Sequence, residues 1–86
     1  MQIKYSRQFV KQYEKSPIKI RASFKERIKN FAENQQNPQL NNHALSGKLK
    51  GYWSINVTGD WRAIYSWEDE ETVIFEMLGT HNQLYR

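Results

Sequence analysis

Apolar residues follow two different periods along this chain. In the first half they recur at helical spacing. Phe9, Val10 and Tyr13 fall at i, i+1 and i+4, and Ile20, Phe24, Ile28 and Phe31 are spaced 4, 4 and 3, with Ala32 beside them. Arg7, Lys11 and Lys15 run along a face next to the first stripe. The pattern predicts a helix from about Arg7 to Lys15, with Ser6 as N-cap, and a second from Pro17 to about Gln35. Ser16-Pro17 separates them, because proline disfavours helix at the residue before it and suits the start of a new one. So short a joint predicts an antiparallel helical hairpin. Ahead of it, Gln2 to Tyr5 alternates as a short edge strand, with Ile3 and Tyr5 on one side.

The last third, Gly51 to Arg86, changes to a period of two. Three runs rich in β-branched and aromatic residues, Tyr52 to Val57, Trp61 to Trp67 and Thr72 to Leu78, are separated by turns at Thr58-Gly59-Asp60 and at the charged run Glu68 to Glu71. Two adjacent hairpins predict a three-stranded antiparallel meander. Trp53, Ile55 and Val57 share a face, as do Trp61, Ala63, Tyr65 and Trp67, and then Val73, Phe75 and Met77. Between the halves, Asn34 to Asn42 reads as a polar loop anchored by Leu40, and His43 to Tyr52 leads into the sheet. The order β-α-α-β-β-β makes this an α+β chain: a helical hairpin packed on one face of a small antiparallel sheet, in a single domain spanning residues 1–86. The last two strands are apolar on both faces. One face meets the helices; the other is partly covered, or waits for a partner.

Composition narrows the class. Eighty-six residues make a small core, burying about 60–65% of the unfolded surface. There is no cysteine, hence no disulfide framework and no thiolate metal site. No apolar run has membrane-spanning length and the first residues lack a signal-peptide core, so a cytoplasmic protein with no membrane partner is expected. Charge is uneven. Residues 1–50 carry eleven Lys/Arg against three Glu, a balance of +8, whereas residues 51–86 carry two Arg against six acids, a balance of −4. The basic half points to a polyanion or to an acidic protein that masks it; a merely solvated helix face is the plainer alternative.

The polar residues with chemical capacity lie at strand ends: His43, Lys48, Lys50, Asn56, Asp60, Arg62, His81 and Tyr85. Two histidines with no ligand spacing make a poor metal site. His81 follows a strand in a polar segment, where an exposed histidine with no task is the competing reading. Arg62, one residue into a strand, either pairs with an acid such as Asp60 or Glu76 or offers a fork to phosphate. Lys48 and Lys50 present two cations to a polyanion. Tyr85 either closes the core or stacks on a base. Together these groups hold what RNA cleavage needs without metal or cofactor: a base for the 2′-hydroxyl, an acid for the leaving 5′-oxygen and cations for the charged phosphorane. No Ser-His-Asp arrangement, P-loop or GxGxxG is present.

Three motifs carry a resemblance. His43-Ala-Leu-Ser-Gly-Lys-Leu-Lys-Gly-Tyr52, Asp60-Trp61-Arg62-Ala-Ile-Tyr65 and Leu78-Gly-Thr-His81-Asn-Gln-Leu-Tyr85 occur in order behind two helices. The whole chain resembles the RelE/ParE superfamily of bacterial type II toxins, and within it the YafQ-like ribosome-dependent mRNA interferases. The resemblance implies a RelE-like fold, entry into the ribosomal A site and metal-independent cleavage of mRNA there. By position, His43, Asp60, His81 and Tyr85 match residues such toxins use, with His81 the leading acid or base and Tyr85 orienting or stacking on substrate. Arg62 matches an arginine that related RelE toxins set on the scissile phosphate, and Trp61 is read as packing. Two positions depart from the pattern: Asn56 stands where a second histidine is expected, and Met77 where an arginine precedes Gly-Thr-His. The resemblance also implies an acidic antitoxin, RelB- or DinJ-like, besides ribosome and mRNA. A ParE-like gyrase inhibitor, or an inactive chain that binds its antitoxin as co-repressor, are the alternatives.

Overall fold

The computed structural model describes residues 1–85; Arg86 lies outside the described residues. Strand β1 (Gln2–Tyr5) leads into helix α1 (Arg7–Lys15) and helix α2 (Ile18–Glu33). Strands β2 (His43–Ala44), β3 (Trp53–Asn56), β4 (Trp61–Asp69) and β5 (Thr72–Thr80) follow, and a short helix α3 (His81–Leu84) is the last of the described elements. The expected α+β order is present. The sheet has five strands in the order β1-β5-β4-β3-β2. Its meander is antiparallel, but β1 joins β5 in parallel, so the sheet is mixed. A parallel neighbour needs a long crossover; here it is the helical hairpin and everything up to β5. Among the described residues no helix is long and apolar enough to cross a membrane.

Local chemistry sets the helix limits. The Ser6 hydroxyl accepts the Phe9 N–H at 3.0 Å and caps α1. At the joint, the Arg21 guanidinium donates to the carbonyls of Ser16 at 2.8 Å and Glu14 at 3.2 Å, so a side chain of α2 satisfies the frayed end of α1. Phe9 of α1 and Ile20, Phe24 and Phe31 of α2 are buried against Ile55, Val57, Ala63, Tyr65, Val73 and Phe75 of the sheet. Ring centroids 5.0–5.6 Å apart link Phe31 to Tyr65 and Phe75, and Phe24 to Phe9 and Phe75. Val10, predicted within the apolar stripe, is 43% exposed. It lies 100° round the helix from Phe9, outside the arc that faces the sheet.

The first run is shorter than the pattern indicates, β3 covering only Trp53–Asn56, and the other two are longer. β4 continues through Asp69 and β5 starts at Thr72, which leaves a tight turn at the tip, and β5 extends past Leu78 to Thr80. A register shift beside Glu76 also reverses one facing assignment. Ala63 pairs with Leu78 and Tyr65 with Phe75, so two residues of β5 lie between their partners where β4 has one. Leu78 therefore turns inward with Phe75, and Met77, predicted to share the Val73-Phe75 face, joins Ile64 on the other side. The Leu78 N–H at the bulge donates to the Gln12 side chain of α1 at 2.8 Å. The face away from the helices thus carries His43, Ser54, Asn56, Ile64, Arg62, Met77 and Gly79.

Candidate functional site

On that open face, Asn41, His43, Leu45, Arg62, His81 and Tyr85 line a shallow groove of about 360 Å³. Four of the residues singled out in the sequence meet there, drawn from the entry to β2, the start of β4 and the C-terminal turn.

The C-terminal motif explains itself residue by residue. Gly79 allows close approach: a Cβ there would lie 3.0 Å from the Gln83 Oε1 atom. Thr80 and Gln83 form a capping box, the Thr80 hydroxyl accepting the Gln83 N–H at 3.2 Å and the Gln83 side chain accepting the Thr80 N–H at 2.8 Å. His81 is the first residue of α3, and its N–H donates to the Asp60 carbonyl at 2.8 Å. One turn later Tyr85 returns to the same side, its ring centroid 4.6 Å from that of His81. The Tyr85 hydroxyl donates to the Ser54 Oγ atom at 3.0 Å, which ties the end of the chain across the sheet to β3. Ser54 is fully buried and is the register partner of His43.

Among the described residues Arg62 is not in an ion pair. Its Nη1 atom donates to the carbonyls of Thr58, Gly59 and Trp61 at 3.0–3.1 Å, closing the β3–β4 turn around the guanidinium. Glu76 instead accepts from Ser66 at 2.7 Å, and the one salt bridge among the described residues joins Lys4 to Glu68. Arg62 thus keeps its full charge, with Nε and Nη2 uncommitted among the described residues.

His43 is oriented by its own loop. Its Nδ1 atom is 2.8 Å from the Asn41 carbonyl. Asn41 has φ of 45°, the left-handed conformation that asparagine tolerates best after glycine. Next to it, Asn42 accepts the Tyr65 hydroxyl at 2.8 Å and donates to the Gln35 carbonyl at 3.3 Å. Burial pushes the Tyr65 phenol up to about 12.

The other predicted residues lie around the groove and not in its lining. The Asp60 side chain is exposed, and the contribution of this residue to the groove is the carbonyl that holds His81. Lys48 and Lys50 are exposed on a 3-10 turn at Gly47–Leu49, between two glycines of positive φ, Gly47 at 66° and Gly51 at 97°. Asn56 stands opposite Arg62 in the ladder, and its Oδ1 atom is buried with no hydrogen-bond partner among the described residues. Among the described residues no group of three His, Cys, Asp or Glu side chains converges as metal ligands would. Sequence reading passed over Asn41, Asn42 and Ser54, which hold the site residues. Asn41 and Asn42 are small polar residues in a polar loop and Ser54 is a buried serine between Trp53 and Ile55, none with a spacing signal of its own.

The family model for YafQ, the bacterial toxin of a type II toxin–antitoxin system, matches residues 1–86. Among solved structures, YafQ from E. coli strain BL21(DE3) is 27% identical with a TM-score of 0.81, over 98% of this chain and 97% of that one. The E. coli DinJ–YafQ complex matches at 26% identity and a TM-score of 0.69, over 98% and 97%. A YoeB/ParE toxin from Agrobacterium tumefaciens, 18% identical with a TM-score of 0.77 over 94% and 99%, shares the fold. No curated protein sequence matches.

Proposed function

The chain belongs to the YafQ family of toxins from bacterial type II toxin–antitoxin systems, and from that premise we propose that it is a ribosome-dependent endoribonuclease that cuts mRNA in the A site. The observation that carries this reading is the convergence of His43, Arg62, His81 and Tyr85 on one open groove. Two imidazoles supply proton transfer, a guanidinium supplies positive charge and a phenol ring supplies a stacking surface.

Cleavage needs no group beyond these. One histidine takes the proton of the 2′-hydroxyl as that oxygen bonds to phosphorus. The bond from phosphorus to the 5′-oxygen breaks, and the second histidine protonates that oxygen. The products are a 2′,3′-cyclic phosphate and a 5′-hydroxyl. Arg62 steadies the phosphorane through the donors its turn leaves uncommitted. It stands opposite Gly79, while Met77 sits two residues earlier on the same open face, so Arg62 supplies the cation that Met77 lacks. Asn56 cannot titrate, which leaves proton transfer to His43 and His81. Asp60 acts by holding His81, and Lys48 and Lys50 meet the phosphates that flank the cut. A cognate acidic antitoxin neutralises the toxin in the cytoplasm. The partnership of DinJ with YafQ in E. coli and the +8 balance of residues 1–50 support this partner.

Primer extension on a defined mRNA in a purified translation system tests the proposal. Cuts within A-site codons are expected only when ribosomes are present, and they disappear with His81→Ala. Intact mRNA with normal translation overturns it. Inhibition of gyrase supercoiling would then favour the ParE-like reading, and no effect in either assay the antitoxin-binding co-repressor.

A further inference from the structure

The two histidines of the groove are held differently, and the difference assigns their roles. A carbonyl oxygen only accepts hydrogen bonds. The Asn41 carbonyl, 2.8 Å from His43 Nδ1, therefore requires a proton on that nitrogen. In the neutral ring the lone pair then lies on Nε2, the nitrogen on the far edge of the ring, which has no hydrogen-bond partner among the described residues. Free histidine in water prefers the opposite tautomer, so a fixed acceptor is needed to hold this one.

The acceptor is fixed from both sides. Leu40, before it, is fully buried. Asn42, after it, is gripped by the Tyr65 hydroxyl at 2.8 Å and by the Gln35 carbonyl at 3.3 Å. Tyr65 is itself fully buried, its ring centroid 5.0 Å from that of Phe31. Beyond the histidine, the backbone of His43 and Ala44 is paired to Ser54 and Trp53. The chain between these anchors turns through the left-handed conformation of Asn41, which aims its carbonyl at the ring two residues on. A rigid core side chain thus sets the protonation pattern of an exposed ring at the edge of the sheet. His81 has no such partner among the described residues; its neighbour is the Tyr85 ring.

We propose that Tyr65 and Asn42 are positioning residues that lock the Asn41 carbonyl onto His43, so that His43 Nε2 is the general base for the 2′-hydroxyl and His81 is the acid for the leaving 5′-oxygen. This rests on the RNA-cleavage reading and adds the direction of proton flow. The 2′-hydroxyl proton ends on His43 and the proton of His81 ends on the 5′-oxygen. The two imidazoles then exchange protons with water before the next turnover.

The test combines a measurement on the free protein with one on the reaction. Nitrogen-15 NMR of the histidine rings reports the tautomer without RNA. Wild-type His43 is expected as the Nδ1–H form. Tyr65→Phe and Asn42→Ala are expected to return it toward the solution mixture, and to lower single-turnover cleavage on ribosomes about ten- to a hundredfold with little change in KM. In a His43→Ala background the same substitutions are expected to add nothing. Asn41→Gly, which keeps both the left-handed backbone and the carbonyl, should leave the His43 tautomer as in wild type. An Nε2–H form in the wild-type protein overturns the proposal whatever the cleavage assay shows. A shifted tautomer with an unchanged rate overturns the base assignment while leaving ribosome-dependent cleavage standing. No cleavage by the wild type overturns both. Should Tyr65→Phe fail to fold, Asn42→Ala, with its side chain at the rim of the core, carries the test.

Discussion

Two grooves lie on opposite sides of the sheet, and they are built on different principles. One runs along the helical hairpin, about 290 Å³ in volume, lined by Tyr5, Phe9, Val10, Tyr13, Phe24 and Ile28, with Lys25 as its only charged wall. The other, about 360 Å³, is lined by Asn41, His43, Leu45, Arg62, His81 and Tyr85. The first is the outer surface of the core. Phe9, Tyr13, Phe24 and Ile28, which pack in or against the core, form most of its walls and follow from the periodicity of α1 and α2, while exposed Val10 and Tyr5 of β1 complete it. The second has no periodicity behind it. It exists because a loop, a strand start and a C-terminal turn are brought to one end of the open face. Burying apolar rings stabilises the molecule, whereas polar groups meant for a substrate must stay near solvent or meet a partner. Stability and chemistry are thus assigned to opposite sides of one small sheet.

Substitutions should separate the two sides. The largest effect is expected from Phe31→Ala, since Phe31 is fully buried between helix and sheet. It should remove about 3–5 kcal/mol in urea unfolding, a large part of the roughly 5–15 kcal/mol that holds a domain together. A loss under about 1 kcal/mol would break the comparison. Next, His81→Ala should lower cleavage about a hundredfold or more while the urea midpoint hardly moves, because His81 is exposed. Equal loss of folding and activity would show that the groove is part of the stabilising structure.

Arg62 straddles the division and sharpens it. Its Nη1 atom closes the turn on three carbonyls, and the residue also lines the groove. Arg62→Lys keeps a charge but loses the fork. It should cost about 1 kcal/mol of stability and about tenfold in cleavage rate. A change in one readout alone would place Arg62 wholly on one side.

The smallest expected change in folding stability, read against pH, comes from Tyr65. Burial raises its folded-state pKa to about 12, above the unfolded value of about 10. The stability this contributes is complete below about pH 10 and is lost as pH rises through about 12. Tyr65→Phe removes the bond to Asn42, so at neutral pH it should cost about 1 kcal/mol. Its urea midpoint should fall less steeply than that of the wild type between pH 10 and 12, and parallel curves would show that the phenol is not held in its neutral form.

Much of this was legible from the chain. The apolar spacing of α1 and α2 and the alternation of β3 to β5 are local, and they place most of the core. His43, Arg62, His81 and Tyr85 were legible as chemically capable groups at strand ends. Other features depend on partners far away in sequence. Nothing in Gln2–Tyr5 says that its neighbour is a parallel β5. One extra residue beside Glu76 sends Leu78 inward and Met77 outward, against strict alternation. Lys48 and Lys50 look like part of a basic site, but the positive-φ glycines beside them set the segment apart from the groove lining. Asn41, Asn42 and Ser54 act through a carbonyl, an amide and a hydroxyl, common groups that carry no spacing signal along the chain.

The sequence by itself determined the class of fold, the side of each helix that is buried and the residues with acid, base or cationic capacity, because these depend on the period and chemistry of neighbours along the chain. Only the tertiary structure decided which of those residues meet, that among the described residues Arg62 carries carbonyls and no carboxylate, and which carbonyl faces His43 Nδ1. Those outcomes are set by contacts between positions tens of residues apart, such as Tyr65 with Asn42 and Tyr85 with Ser54. Such contacts form only once the sheet is assembled and the bulge, the turn and the C-terminal cap have brought the segments within hydrogen-bonding distance.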